Sequence, residues 1–409
     1  MRMGSIDGLG KNHKSCYTDL YMQSEKAACS VLCSSKKTDR ILITSLRKKV
    51  NVRCIDELDS ELREIYAIRH PESICTGIDH KDVTKFIQSY YRDEKRTHPI
   101  GCWAWYPWNL TLMRVLPEDM HYELYTSRNR NLITKSEQDA YYGARIGVAG
   151  LSVGNAVVAS IIHTGGGKYL SIADNDVLSG SNINRIRAGF DMVGISKVEL
   201  AAREIVCVNP YVQLTRYAQG ITKENIERFL LKPKKLNIIV DEMDSLYLKI
   251  QLRLLARKYK IPVVMAADNG DGVVVDIERF DLDPHRPLMH GDVPEKELLA
   301  IACDVSRPVA AKIISTWVRP DNIACRMKTS LLELGKTIYT WPQLGNAAFL
   351  AGSVIAYVVR RILTGQSIAQ GKFVINPDTF FVPGYEMKQA VHTRKQQTIQ
   401  FMRQMGMDQ

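Results

Sequence analysis

The stretch "RIGVAGLSVGNAVVASIIHTGGGKYLSIAD", from Arg145 to Asp174, determines the fold class of this 409-residue chain. A short apolar run ends at Gly150, a helix-like run follows, and a second apolar run ends at Asp174. A strand, a glycine-containing turn, a helix and a second strand in this order are typical of a parallel βαβ unit. The stretch therefore predicts a sheet whose parallel strands are joined by helices.

The same alternation continues for about a hundred residues more. Strand-like runs occupy 212–218, 236–244 and 262–268, and helix-like runs occupy 196–208, 223–231 and 246–260. This rhythm predicts a doubly wound, mostly parallel α/β sheet of the Rossmann-like type. We expect an antiparallel strand at 272–282, a helix at 347–363 and a final strand near 372–376.

A small α+β module is predicted ahead of that sheet. Apolar residues recur at helical spacing in 56–69 and 80–92, and residues 102–117 predict two strands around a turn near Pro107 to Asn109. The aromatic side chains of this hairpin either form a binding face or, as we favour, cover the core of the next domain. They are Trp103, Trp105, Tyr106 and Trp108.

The domain boundaries follow from these patterns. Residues 1–40 are polar and have no periodicity, so we expect them to be poorly ordered. We expect the α+β module in 41–124, where it is a possible peptide clamp. The sheet domain is expected in 125–383 and a C-terminal tail in 384–409.

Composition places the protein in the cytoplasm. The chain is 45% hydrophobic and 24% charged, which is ordinary for a soluble globular protein. The longest apolar run, Ala347 to Val359, is too short to span a bilayer and is interrupted by Gly352 and Ser353, so it predicts a buried helix. We find no secretory signal and expect no membrane partner. The nine cysteines have no framework spacing, which favours a reducing compartment.

The charge is unevenly distributed. The net charge is +11, and residues 1–124 hold nineteen Lys and Arg against seventeen Asp and Glu, so most of the excess lies in 125–409. Such charges usually form solvated surface. An excess of this size also steers anionic partners such as a nucleotide, an acidic peptide or a nucleic acid. We expect no nucleic-acid partner, because the sequence carries no nucleic-acid-binding motif.

The first strand-to-helix turn has the features of a phosphate loop. Gly150 and Gly154 would let the backbone approach a phosphate, and the helix that follows favours negative charge at its N-terminus. Asp174 ends the second strand twenty-four residues after Gly150, where dinucleotide-binding folds hold the ribose. The loop alone is also compatible with a tight turn that binds nothing.

Further polar residues distinguish the kind of nucleotide. Arg185 ends the stretch "SNINR", which begins at Ser181 and includes Asn182 and Asn184, and Lys197 opens the next helix. Two cations at one nucleotide favour a polyphosphate over a nicotinamide. Asp241 and Asp244 close the strand at 236–244, where a carboxylate would hold Mg²⁺ against phosphates. Taken singly, each of these residues is better explained as a cap or as surface charge.

These motifs resemble the ThiF/MoeB group, the adenylating domains of the ubiquitin-activating-enzyme superfamily. The resemblance rests on "DNDVLSGSNINR" (174–185), on "GISK" ending at Lys197 and on "DEMD" ending at Asp244, and it covers roughly residues 125–300. Four more stretches resemble a bacterial branch of stand-alone ThiF-like proteins. They are "SRNRNLIT" (127–134), "GLSVG" (150–154), "IERFDLDPHRPLMHG" (277–291) and "TWPQL" (340–344).

The resemblance implies an ATP site and a reaction. Arg185 and Lys197 would hold the triphosphate, Asp244 would bind Mg²⁺, and Arg128 would reach the ATP of a partner protomer in a homodimer. The remaining nucleotide contacts would come from Gly150, Ser152, Gly154, Asp174, Asp176 and Asn182, with Asp174 on the ribose. A substrate carboxylate would attack the α-phosphate, giving an acyl-adenylate and pyrophosphate.

The substrate remains open at this point. The resemblance implies either an acidic ribosomal peptide, modified during antibiotic maturation as in the microcin and pantocin pathways, or the C-terminus of a ubiquitin-like or sulfur-carrier protein. We favour the peptide. A pseudo-enzyme scaffold that binds nucleotide without turnover is a third possibility. A nicotinamide oxidoreductase is disfavoured by Arg185 and Lys197.

Three departures from the group bear on these expectations. The chain has no CxxC pair, so we expect no structural zinc. Cys303 and Cys325 are the only cysteines downstream of the nucleotide motifs, and we expect both to be buried and not catalytic. Ser152 and Val153 replace expected glycines, which predicts a tighter phosphate loop.

Overall fold

The computed structural model describes residues 29–92 and 102–407. The chain divides into two compact units, Met1–Arg130 and Asn131–Gln409. The poor order expected for residues 1–40 lies outside the described residues up to position 28. It is wrong for residues 30–40, because a strand begins at Ser30 and a helix at Lys37.

The first unit contains a four-stranded sheet in the order β1-β3-β4-β2. The strands are β1 (Ser30–Cys33), β2 (Arg53–Ile55), β3 (Cys102–Tyr106) and β4 (Thr111–Val115). β3 and β4 form the predicted antiparallel hairpin, and β2 pairs with β4 in parallel. The helices are α1 (Lys37–Arg47), α2 (Leu58–Arg69), α3 (Ser73–Thr76), α4 (His80–Arg92) and α5 (Glu118–Thr126).

The hairpin belongs to the core of its own module. Trp103 is 6% exposed and packs in one cluster with Leu32 of β1 and with Ile43 and Leu46 of α1. The cover of the following domain that the aromatic pattern predicts stays a prediction.

The second unit is built on a seven-stranded sheet in the order β11-β10-β9-β8-β5-β6-β7. Its strands are β5 (Arg145–Ala149), β6 (Tyr169–Ala173), β7 (Gln213–Tyr217), β8 (Ile238–Asp241), β9 (Val263–Asn269), β10 (Gly272–Glu278) and β11 (Gly371–Ile375). β5 to β9 are parallel, and β10 and β11 are antiparallel to their neighbours. The predicted mostly parallel α/β fold is thus confirmed.

The helices of this unit include several that pack on the sheet. They are α6 (Lys135–Gly143), α7 (Val153–His163), α8 (Lys197–Val208), α9 (Ile226–Leu231), α10 (Leu246–Lys258), α11 (Glu295–Leu299), α12 (Arg307–Val318), α13 (Cys325–Leu332), α14 (Gly345–Leu363), α15 (Asp378–Phe381) and α16 (Lys388–Gln404). Part of the expected C-terminal tail is therefore helical, and Phe401 of α16 is buried.

The long helix α14 is a core element, as predicted. Among the described residues it is the one helix long and apolar enough to cross a bilayer. It packs against α7 and against strands β9 and β10. At its closest point, a Cβ added to Gly352 would lie 2.5 Å from the carbonyl oxygen of Ala156 on α7. The apolar composition of α14 is explained by this packing.

A buried polar network ties the segment after β10 to the sheet. The Arg253 guanidinium of α10 is fully buried between Asp241 and Glu278. Glu278 also accepts the Met289 amide at 2.8 Å, and the Nε2 atom of His290 lies 2.7 Å from Asp276. Met289 and His290 have positive φ angles of 51° and 61°. These hydrogen bonds hold a backbone conformation that such residues rarely adopt.

Candidate nucleotide-binding site

The candidate site lies where the connections of the sheet diverge. β5 leads through α7 to β6 on one side, whereas its other neighbour, β8, leads through α10 to β9. Open α/β sheets bind ligands in the crevice beyond the carboxyl ends of two such strands. The loop that contains Gly150 and Ser152 follows β5 directly and opens α7, so it borders this crevice.

Two glycines allow the loop to lie close to the sheet. Gly150 has a φ of 89°, and a Cβ there would lie 2.3 Å from the carbonyl oxygen of Glu242. Its amide donates to the Ala173 carbonyl at 2.8 Å. A Cβ on Gly154 would lie 3.1 Å from a methyl group of Val148, so α7 packs tightly on β5. Both positions favour glycine for steric reasons.

Asp174 lies directly after β6, as predicted, and organises the loop. One carboxylate oxygen accepts the Leu151 amide at 2.7 Å and the other accepts the Asp176 amide at 2.8 Å. Burial raises the pKa of Asp174, while the charge of Lys197 and the two amides act to lower it. The carboxylate keeps further lone pairs, so ribose hydroxyls remain possible donors to it.

Lys197 brings a buried ammonium group to the same edge. Its Nζ lies 2.8 Å from Asp176 Oδ2, and its side chain is 7% exposed against 59% for Asp176. Its own amide donates to the Asp176 carbonyl at 3.0 Å. Asp176, predicted as a nucleotide contact, therefore orients Lys197 at the N-terminus of α8.

Arg185 crosses back to the phosphate loop. Its Nε donates to Ser152 Oγ at 2.8 Å and one of its NH groups donates to Asn184 Oδ1 at 2.9 Å. Burial lowers the pKa of Arg185, and the negative charges of Asp268 and Asp244 oppose that shift. The side chain of Ser152 forms no capping hydrogen bond to α7. The first amides of α7 are thus available to an anion.

The two asparagines of "SNINR" make hydrogen bonds that support the loop. Asn182 is buried, and its side-chain oxygen accepts the Ser179 amide at 3.1 Å. Asn184 donates to the Gln343 carbonyl at 2.9 Å, which links this loop to the chain ahead of α14. A direct contact of Asn182 with the nucleotide stays a prediction.

The two aspartates after β8 lie in different environments. Asp241 is fully buried against Arg253 and Lys249 of α10, so it is wrong as a candidate Mg²⁺ ligand. The positive charges of Lys249 and Arg253, with the hydrogen bond from Arg253, outweigh burial and hold the pKa of Asp241 below its ordinary value. Asp244 is exposed and acts electrostatically on Arg185. The role of Asp244 with Mg²⁺ stays a prediction.

Asp268, near the end of β9, was not among the residues predicted from the sequence. It is 7% exposed, and its Oδ2 accepts the Gln343 amide group at 3.1 Å. Its Oδ1 is buried and has no hydrogen-bond partner in the part of the chain that the structure describes. Burial raises the pKa of Asp268 to about 6 against the opposing charge of Arg185. The rule that identified Asp174, a carboxylate at the carboxyl end of a parallel strand, would also have identified Asp268.

Divalent metal binding would depend on the nucleotide. Within residues 29–92 and 102–407, no group of three or more His, Cys, Asp or Glu side chains is arranged to hold a metal ion. Asp244 would supply a single carboxylate to a metal ion. Mg²⁺ is commonly held by one or two carboxylates together with substrate phosphates, so Asp244 fits a site that the protein shares with the nucleotide.

Three predicted residues remain to be described, Arg128 and the two downstream cysteines. Arg128 is exposed, in the 3₁₀ turn Ser127–Asn129 of the first unit. The expected burial of the downstream cysteines is wrong, since Cys303 is exposed and Cys325 is half-buried. The apolar neighbours of the two cysteines in the sequence had predicted burial. Cys303 is nevertheless exposed because it lies in the connection between two helices, in residues 300–306. The absence of a catalytic cysteine stays a prediction.

Comparison with known proteins gives a consistent result. The model of the ThiF family matches residues 126–392. The uncharacterized protein MT1398 of Mycobacterium tuberculosis is 32% identical over 273 residues, covering 66% of this chain and 37% of that protein. The tRNA threonylcarbamoyladenosine dehydratase of Bacillus subtilis is 28% identical over 166 residues, covering 39% of this chain and 64% of that enzyme. The chain thus spans less than two thirds of either relative.

One solved structure resembles the chain over much of its length. It is that of E. coli MccB with AMPCPP and MccA, at 16% identity and a TM-score of 0.39, covering 78% of this chain and 86% of that one.

Proposed function

Because the chain belongs to the ThiF family, we propose that it is an ATP-dependent adenylyltransferase that activates a carboxylate as an acyl-adenylate. The observation that carries the proposal is the convergence of Lys197, Arg185 and the uncapped N-terminus of α7 on one crevice. Two cations and free helix amides suit a triphosphate, whose charge a nicotinamide would not supply.

Each residue has a role in this reaction. Ribose hydroxyls would donate to Asp174, and phosphate oxygens would accept from the α7 amides, Arg185 and Lys197. A carboxylate oxygen of the substrate would attack the α-phosphorus while the bond to the bridging oxygen breaks, so pyrophosphate leaves with its electron pair. Lys197 and Arg185 would stabilise the negative charge that develops on the phosphate oxygens. Mg²⁺, held by Asp244 and phosphates, would neutralise part of that charge.

For the substrate, we propose an acidic ribosomal peptide that carries the reacting carboxylate, in the maturation of a natural product such as an antibiotic. The positive balance of the chain supports an acidic partner. A ubiquitin-like or sulfur-carrier C-terminus is the alternative. A tRNA-linked carboxylate is a second candidate, since the Bacillus relative is named for tRNA. We place the reaction in the cytoplasm, where ATP is available and thiols remain reduced.

Pyrophosphate exchange tests the proposal. We expect radiolabel from pyrophosphate to enter ATP only when a carboxylate substrate is added. The substrates to compare are acidic peptides encoded beside the gene, a carrier protein ending in Gly-Gly, and tRNA. Exchange only with the carrier protein or only with tRNA would contradict the peptide as substrate and would still support adenylation.

Calorimetry separates the remaining possibilities. ATP binding without exchange on any substrate would favour a nucleotide-binding scaffold. Tight NAD binding with no heat from ATP would contradict the proposal, because Arg185 and Lys197 would then bind no triphosphate.

A further inference from the structure

The N-terminal module contains a cavity of about 320 Å³ between α1 and the face of its sheet. Arg40, Ile43 and Arg47 of α1 line one side of it. Trp103 of β3 and Arg114 of β4 line the other side. A cavity of this size lies at the lower end of the range for small-ligand sites.

A row of side chains across three strands forms the floor. Trp103 and Arg114 are directly opposite each other in the β3–β4 ladder. Asp56 follows β2, and its Oδ2 lies 3.1 Å from an NH group of Arg114. The guanidinium carbons of Arg47 and Arg114 lie 5.4 and 5.9 Å from the centre of a Trp103 ring. The indole therefore holds two cations at the cavity in fixed positions.

The cavity carries an excess of positive charge. Among the described residues that line the cavity, three guanidinium groups face one carboxylate, that of Asp56. Arg40 and Arg47 are exposed, and neither forms an ion pair within residues 29–92 and 102–407. Residues 29–56 hold seven lysines and arginines against two aspartates. The whole module has a small net charge because negative charges elsewhere in it offset this positive excess on the side of α1.

From this arrangement we propose that the cavity binds a carboxylate side chain of an acidic peptide. Ile43 and Trp103, each 6% exposed, present a small apolar area to an aliphatic stem, and Arg40 and Arg47 supply donors for its carboxylate. Asp56 already neutralises part of the charge of Arg114, which leaves Arg40 and Arg47 as the exposed donors. That the peptide is also the substrate of adenylation rests on the function proposed above.

Peptide binding to the full chain tests the cavity directly. The probes are hexaglutamate, hexaglutamine, inorganic pyrophosphate and tRNA, measured by calorimetry at 0.1 M salt. We expect hexaglutamate to bind and hexaglutamine to give no heat. Arg47→Gln and Arg40→Gln should each weaken hexaglutamate binding roughly tenfold, the loss of one charge-assisted hydrogen bond. Lys48→Gln, which removes an adjacent exposed charge outside the cavity, should change binding less than twofold.

The contrary outcomes are distinct. Equal weakening by Lys48→Gln and Arg47→Gln would mean diffuse attraction and would overturn the cavity as a site. Stronger, Arg47-dependent binding of pyrophosphate or tRNA would overturn the carboxylate. Because both arginines are exposed on a helix, unchanged circular dichroism of the variants is the check on folding.

Pyrophosphate exchange keeps this proposal separate from the proposed function. With an active acidic peptide, Arg47→Gln should raise the peptide KM roughly tenfold and leave kcat and the ATP KM unchanged. Arg47-dependent binding without exchange would retain the cavity and contradict adenylation. Exchange whose peptide KM ignores Arg47→Gln and Arg40→Gln would retain adenylation and contradict the cavity.

Discussion

Ser152 occupies a position where a nucleotide-binding loop usually carries glycine, and its hydroxyl accepts a hydrogen bond from Arg185. The residue therefore orients a guanidinium toward the crevice at the N-terminus of α7. Its side chain forms no capping hydrogen bond to the helix, so the helix amides stay available. Ser152, which replaces the expected glycine and predicted a tighter loop, thus helps to position Arg185, a candidate catalytic residue.

Lys197 provides the first prediction at the scale of single residues. Lys197→Ala should lower pyrophosphate exchange by roughly 10²–10³-fold, the range for losing one preorganised donor to the transition state. The fold should persist, because the partner left behind, Asp176, is largely exposed. Lys223→Ala, an exposed lysine elsewhere in the unit, should retain full activity. Equal activity of the two variants would remove Lys197 from the mechanism.

Asp268 gives a prediction about pH and stability. Its pKa rises to about 6 on folding, so the native state binds more protons than the unfolded state between about pH 4 and pH 6. Stability therefore falls as the pH rises through this window, and the full cost is present above it. Asp268→Asn should raise the free energy of unfolding at pH 7.5 by on the order of 2 kcal/mol and leave it nearly unchanged at pH 4.

Chemical denaturation at the two pH values measures this difference. Asp244→Asn is the matched control, an exposed carboxylate at the same edge of the sheet, and should have little effect at either pH. A gain for Asp268→Asn that is the same at both pH values would show that the burial of its charge is not the cause.

At the scale of elements, the strength of local patterning decided what the sequence could predict. β5, α7 and β6 were predictable because apolar runs and glycines mark them within one short stretch. β1 and β2 were missed because they have only four and three residues, too few for an alternation to be recognised. Their pairing with β3 and β4 depends on contacts far apart in the chain.

The site was predictable only in part, for a similar reason. Asp241 and Asp268 both close strands at the same sheet edge, and the sequence gives no reason to prefer either one. Arg253 and Lys249 reach back from α10 to neutralise Asp241, whereas Oδ1 of Asp268 stays unpartnered. Tertiary contacts decide which of the two carboxylates is neutralised within the core. The position of a carboxylate at the end of a strand therefore identifies candidate site residues but does not rank them.

The phosphate loop yields a prediction at this scale. Gly150→Ala should destabilise the protein and abolish ATP binding, because a Cβ there would lie 2.3 Å from the Glu242 carbonyl oxygen. Gly194→Ala is the matched control, since Gly194 has a φ of 95° with open space around it. The control should cost about 1–2 kcal/mol from backbone strain alone. If thermal melts of the two variants coincide, the close approach of loop and strand has no energetic weight.

At the scale of the whole molecule, the expected homodimer with Arg128 acting in trans is open to a mixing experiment. Arg128→Ala and Lys197→Ala protomers should each be nearly inactive alone. After subunit exchange, a hybrid dimer would hold one intact site if Arg128 serves its partner. Random mixing should then restore about a quarter of wild-type activity, since half of the dimers are hybrids with one site each.

The alternative outcomes of mixing are equally clear. If Arg128 serves its own protomer, no combination contains an intact site and mixing restores nothing. A monomer in sedimentation with full exchange activity would exclude any contribution from a partner.

The buried network around Arg253 has a consequence for how relatives of this protein are found. Glu278, Arg286, Met289 and His290 belong to residues 277–291, one of the stretches whose sequence resembles a bacterial branch of the family, and all four lie in or beside that network. These four residues hold the segment after β10 against the sheet, and none of them contacts the crevice residues described above. A genome search seeded with residues 277–291 would therefore collect chains of like architecture. A search seeded with residues 174–197 would collect those equipped for the same chemistry.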